Sequence, residues 1–153
     1  MKGTLAQLNI SGGGMPKKPI SSARVTVDGV AGDWQKNRKY HGGLNRAVCI
    51  YSEELYEWLR EKGVKVSSGD IGENFTMRGI DLRKLAKGNQ LRVGECVIEI
   101  TDVRVPCHQL KKWDEDLPEL IVGQSGWVAK VVKEGNVKAG DDIEVLAGKT
   151  GSI

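Results

Sequence analysis

The sequence predicts a mainly β domain, either a barrel or a sandwich. Three observations carry this expectation. Runs of alternating apolar and polar residues recur along the chain at strand length. Glycine is abundant, 20 of 153 residues, and punctuates those runs. Only one segment has clear helical periodicity. Many short strands with frequent turns and little helix are the pattern of a closed or two-layered β fold.

Lys2 to Ile10 reads as a first strand, with Leu5, Leu8 and Ile10 apolar. Ser11-Gly12-Gly13-Gly14 follows as a turn; it lacks the lysine and spacing of a phosphate-binding loop, although amides in such a turn can meet an anion. Pro16 and Pro19 frame a basic loop, and Ser22 to Val27 alternates again as a strand. Asp28 to Gly43 is a long polar loop holding Trp34, Tyr40 and His41. Loops of that length are often functional; His41 reads equally as a surface histidine. Ala47 to Tyr51 is a continuous apolar run, a strand buried on both faces, with Cys49 in the core. Ser52 is a natural N-cap with Glu53 and Glu54 in the first turn behind it. Leu55, Trp58 and Leu59 share one helical face, and Gly63 closes the helix.

Gly69-Asp70-Ile71-Gly72-Glu73-Asn74-Phe75 implies tight turning beside a short strand. Asn74 offers donors and an acceptor for a heterocycle edge, or simply stabilises the turn. Leu85 to Thr101 reads as a β-hairpin turning at Gly94-Glu95, with Cys96, Ile98 and Ile100 on one face. Leu110 to Gln124, with Pro118, suggests short helical turns. Trp127 to Val132 is a strand, Gly135-Asn136 a turn, and Val137 to Leu146 a last apolar stretch interrupted at Gly140-Asp141-Asp142. One domain over 1–147 with a flexible tail over 148–153 is the expected organisation.

Composition excludes several classes. The hydrophobic fraction is 39% and no run of about 18 apolar residues exists to span a bilayer. A net charge of +3, with the lysines dispersed, does not imply nucleic acid as a partner. Three scattered cysteines argue against a disulfide framework, and the first residues lack a signal peptide's order, so a cytoplasmic setting is expected. No pair among Cys49, Cys96, Cys107, His41 and His108 has zinc-ligand spacing.

The chemistry concentrates at Asp102 to Leu110. Pro106 cannot extend a ladder, so the strand before it stops near Cys107. Arg104 lies three residues upstream, and a neighbouring cation favours the thiolate, which is both nucleophile and metal ligand. The plainer reading is a cysteine packed at a strand end.

Taken in order, several pieces resemble the MOSC family, the molybdenum cofactor sulfurase C-terminal domain, and its small stand-alone bacterial members above all. These are Gly29-Val30-Ala31-Gly32-Asp33, His41-Gly42-Gly43 followed by Arg46-Ala47-Val48, Gly72-Glu73-Asn74-Phe75, Arg104-Val105-Pro106-Cys107, Gly126 to Val131, and Gly135 to Asp141. The resemblance implies a strongly bent β-barrel similar to the pyruvate kinase barrel domain. It implies a pterin-bound molybdenum, the molybdenum cofactor (molybdopterin), with Cys107 as metal ligand and catalytic residue. It maps His41, Arg46 and Asn74 as cofactor contacts, with Arg104 added by position and Ser11 as a phosphate contact. Pyridoxal phosphate is not expected in this chain, because the family's desulfurase domain does not fit within it. A second cysteine found soon after the family cysteine in some relatives has no counterpart in Lys111 to Leu120.

The implied activity is reduction of N-hydroxylated small molecules with an external electron donor. Two other roles are consistent with the residues: a persulfide or cofactor carrier supplied by a cysteine desulfurase, and a non-catalytic barrel that binds a protein. Substrate, donor and oligomeric state are not encoded in any motif present.

Overall fold

The computed structural model describes residues 1–13, 15–33, 44–106 and 108–146. The chain forms a closed seven-stranded β-barrel with one helix of more than two turns. The strands are β1 (Lys2–Ile10), β2 (Lys18–Ile20), β3 (Ser22–Thr26), β4 (Gly29–Val30), β5 (Val48–Ser52), β6 (Phe75–Arg78), β7 (Gln90–Val93), β8 (Cys96–Val103), β9 (Trp127–Lys133), β10 (Gly135–Lys138) and β11 (Asp142–Leu146). The helices are α1 (Glu53–Glu61) and the short α2 (Leu117–Leu120), with 3₁₀ turns at Leu44–Arg46, Leu82–Lys84 and His108–Lys112. The barrel runs β11-β7-β8-β9-β5-β6-β1 and closes where β1 pairs β11, Gly3 opposite Ile143. A smaller sheet, β10-β3-β4, lies beside it.

The expected elements form for the expected reasons. Leu5 and Leu8 both face the core although three residues apart, because β1 bulges between Leu5 and Gln7 against β6 and resets the alternation. All five residues of β5 are buried: the barrel covers one face and α1 packs on the other. Ser52 caps α1, its hydroxyl accepting the Leu55 N–H at 3.1 Å. Leu55, Tyr56 and Leu59 are buried on the inner face, and Gly63 takes the left-handed conformation that ends the helix. Strand β6 is parallel to β5, the one parallel pairing among the described residues, and α1 with the loop after it supplies the crossover that this pairing requires. The β7–β8 hairpin turns at Gly94-Glu95, and Cys49 and Cys96 are buried.

Three local expectations are corrected. Gly135-Asn136 is the start of β10 and not a turn, with Gly135 opposite Val25. A Cβ on Gly135 would come within 2.7 Å of the Glu95 backbone, so this glycine marks a close approach of two strands. The loop framed by Pro16 and Pro19 runs into the short strand β2, which among the described residues pairs only with β1; on an edge strand proline is tolerated. Strand β8 ends at Val103, three residues before Pro106. The expected tail, 148–153, lies outside the described residues.

Candidate functional site

A polar cluster is buried beside the crossing from β1 to β2. Its centre is Asp33. The carboxylate receives the Lys17 ammonium on both oxygens, at 2.7 and 2.9 Å, the Ser11 backbone N–H at 2.9 Å and the Asn74 side-chain amide at 3.0 Å. The Lys17 and Asp33 side chains are only 7% and 5% exposed. Burying both ions is costly, and the surrounding hydrogen bonds are what make the arrangement tolerable. Asn74 is fully buried and spends its capacity on the protein: besides Asp33, its amide donates to the Asn9 carbonyl at 3.3 Å, and its oxygen accepts the Cys49 N–H at 3.0 Å. Asn74 thus joins β5, β1 and the Asp33 turn.

Glu73 forms a second buried knot beside it. Its carboxylate accepts from the Tyr56 hydroxyl at 2.6 Å, the Thr76 hydroxyl at 2.6 Å and the Gly69 N–H at 3.0 Å. Burial raises its carboxyl above the usual range, and these donors oppose the shift. The knot fixes the turns at Gly69 and Gly72, both at positive φ, against α1.

Arg104 follows directly on β8. Its backbone N–H donates to the Gly126 carbonyl at 3.0 Å, and its carbonyl accepts the Ser125 hydroxyl, so both neighbours hold the exit of the strand. The guanidinium turns toward the turn at Gly72: Nη2 donates to the Ile71 carbonyl and lies 3.9 Å from the Met15 sulfur. A Cβ on Gly72 would sit 2.8 Å from Met15 and 3.3 Å from Nη2, so glycine keeps this wall close. The other nitrogen, Nη1, is buried and has no hydrogen-bond partner among the described residues. A buried donor left unpaired is costly, and an acceptor on a bound ligand would relieve it. Lys112 ties the same crossing from outside, donating to the Met15 carbonyl at 2.7 Å. Burial pushes the Cys49 thiol up, with the Arg104 charge opposing.

The sequence-predicted site residues therefore fall into groups. Ser11 and Asn74 meet through Asp33. Arg104 stands next to the same crossing, at Met15. Arg46 ends the 3₁₀ turn after the long loop and faces Asp102 at 3.8 Å, in a separate cleft. Cys107 and His41 lie outside the described residues, as does most of the loop that carries His41. Sequence reasoning missed Lys17 and gave Asp33 no role of its own. The signals were a lysine enclosed by two prolines and an aspartate ending a glycine-rich run. Neither reveals that the two side chains meet. Among the described residues, no three His, Cys, Asp or Glu side chains converge as a metal site, and no helix is long and apolar enough to cross a membrane.

A family model for the MOSC domain matches residues 37–144. This chain belongs to the MOSC family. The chain is 31% identical over 146 residues to Protein YiiM of Escherichia coli (strain K12), a match covering 85% of this chain and 65% of that protein. It is 32% identical over 130 residues to a protein of Gibberella moniliformis named Reductase, covering 79% of this chain and 23% of that protein. The chain thus spans less than two thirds of the length of these curated relatives. The crystal structure of Escherichia coli YiiM superposes with a TM-score of 0.73 at 26% identity, over 95% of this chain and 70% of that one. The MOSC family is associated with the molybdenum cofactor. Among the described residues, the buried Arg104 guanidinium nitrogen that has no partner among them fits such a group, because it suits a phosphate or ring carbonyl.

Proposed function

We propose that this MOSC protein is a molybdenum-cofactor-dependent reductase of N-hydroxylated compounds, with Cys107 as the molybdenum ligand. The observation that carries the reading is the buried Arg104 Nη1, without a partner among the described residues at the exit of β8 and three residues before that cysteine in sequence. The relative named Reductase supports the reaction class.

In this reading Arg104 donates Nη1 to an anionic or carbonyl oxygen of the pterin, while Nη2 stays on Ile71 and keeps the guanidinium oriented. Ser11 and His41 supply further contacts to the cofactor. Asn74 acts indirectly: it fixes Asp33, and Asp33 fixes Lys17 and the Ser11 amide. When bound, the cofactor supplies two-electron oxygen-atom chemistry at a metal already rich in sulfur. The protein's part is to hold the thiolate of Cys107, orient the N–O group and deliver protons, a task for the imidazole of His41 or of His108. The overall change removes the hydroxyl oxygen as water, consuming two electrons and two protons, with the electrons coming from an external donor protein.

The test is molybdenum and pterin analysis of protein purified from a cofactor-competent host, beside Cys107→Ser, coupled to turnover of an N-hydroxylated base with a chemical reductant. Stoichiometric metal in the native protein, its loss in Cys107→Ser and measurable reduction are expected. Native protein free of metal, and unable to take it up on reconstitution, overturns the reading. Metal without turnover by any donor points instead to a carrier.

A further inference from the structure

Glu73 stands in the middle of the Gly72-Glu73-Asn74-Phe75 motif, and the proposed reaction gives it no task. A carboxylate buried this completely is costly to keep unless donors fill it. Two of its donors lead to the turn that Arg104 leans on. The Tyr56 phenol donates to Glu73 Oε1 at 2.6 Å and accepts the Ile71 N–H at 3.1 Å. The Ile71 carbonyl in turn accepts Arg104 Nη2. One buried residue is thus held by Tyr56 through its N–H and holds Arg104 through its oxygen.

The rest of the turn is anchored too. Glu73 Oε2 accepts the Gly69 N–H at 3.0 Å, and the Gly69 carbonyl accepts the Lys17 and Gly72 amides at 2.9 and 3.1 Å. The Trp113 indole donates to the Asp70 carbonyl at 3.1 Å. Burial, and after it the Glu73 charge, hold the Tyr56 phenol well above its ordinary value. Its proton therefore stays in place for Glu73 while its oxygen receives Ile71. Arg104 lies just past the end of β8, on a long side chain with several rotatable bonds. Such a group aims one nitrogen reproducibly only when the acceptor of the other is itself fixed.

We propose that Glu73 and Tyr56 are positioning residues, which set through the Ile71 backbone where Arg104 aims Nη1. What Nη1 then meets rests on the reductase reading; the support itself does not. Without the Tyr56 hydroxyl, the buried Ile71 N–H has no partner and Glu73 lacks one donor. The turn then relaxes, and its carbonyl no longer pins the guanidinium.

The experiment is NMR of arginine side chains in the full chain, produced in a host that cannot make the molybdenum cofactor. A guanidinium held through Nη2 turns slowly about its Cζ–N bonds and gives separate Nη signals; a released one gives averaged signals. Arg104→Lys identifies the signals by their loss. Tyr56→Phe and Glu73→Gln are then compared with Leu59→Ala, which removes packing from α1 but none of these hydrogen bonds. Slow rotation is expected in the native chain. Tyr56→Phe should speed it about tenfold, the effect of losing one hydrogen bond, and Glu73→Gln at least as much. Leu59→Ala should lower the thermal midpoint and leave the rotation slow. Averaged signals in the native chain overturn the proposal. So does unchanged rotation in Tyr56→Phe with a lowered midpoint, which would make the knot a matter of stability alone. Equal release by Leu59→Ala overturns it as well. Should Glu73→Gln not fold, Tyr56→Phe decides alone. Failure of the reductase reading would show in metal content and turnover, and would not alter these spectra.

Discussion

Lys17 shows how little of the site one residue reveals by itself. In the sequence it is a lysine in a basic loop; in the fold it is a buried cation on Asp33. Removing it leaves the carboxylate buried without its counter-charge, which costs about 3–5 kcal/mol. Lys17→Met is therefore expected to lower the urea midpoint strongly, and Lys17→Met with Asp33→Asn to recover part of the loss; equilibrium denaturation measures both. The buried thiols make a separate prediction. Burial pushes Cys96 up to about 12 and Cys49 upward as well. An unfolded chain gives up these protons near pH 8.5. Between there and the folded value the unfolded state binds fewer protons, so stability is full below about pH 8.5 and falls as pH rises toward 12. Denaturation midpoints across that range, compared with Cys96→Ala, check the sign. Their core positions were legible because Cys49 sits in an unbroken apolar run and Cys96 in an alternating one. The partnership of Asn74 was not legible. Its partners are 25 to 65 residues away in sequence, where no local signal marks them.

At the scale of elements, the strands and helix were readable because their periodicities are local, and Ser52, Glu53, Glu54 and Gly63 mark both ends of α1. Glycine was the weak point. It signals a turn, a positive φ or a close approach with the same letter, and only the neighbouring strand tells which. Gly135 was misread for this reason. Gly126 combines two of these needs: its φ is +85°, and a Cβ there would collide with the Ile50 carbonyl of β5. Its own carbonyl receives the Arg104 N–H. Gly126→Ala should cost about 2 kcal/mol or more from backbone strain and the clash together. On the proposed reading, the displaced exit of β8 should also reduce molybdenum retention more than an equally destabilising core substitution such as Ile98→Ala does. Thermal unfolding and metal analysis of the two variants, side by side, separate the local effect from general destabilisation.

For the whole molecule, closure is the property no window of sequence contains. The β1–β11 seam joins residues almost the full chain apart, and with it the barrel loses two edges that would otherwise invite pairing with other chains. The strand order follows from that seam, from the parallel β5–β6 pair and from the hairpins, of which only the hairpins are local. The ordered family motifs made the barrel legible where periodicity alone left barrel and sandwich open. Strand β8 is the feature with the widest reach. It pairs with both β7 and β9, and it leads directly into Arg104. Along an extended chain such spacings come only in whole peptide units of about 3.3 Å, with side chains returning to one face every second unit. The spacing of the groups that β8 presents is thereby quantised. A lineage that needed a different spacing would have to slip β8 against both β7 and β9, turning its core outward, so new specificities should arise by changing the side chains that β8 and its flanking turns present and not their spacing.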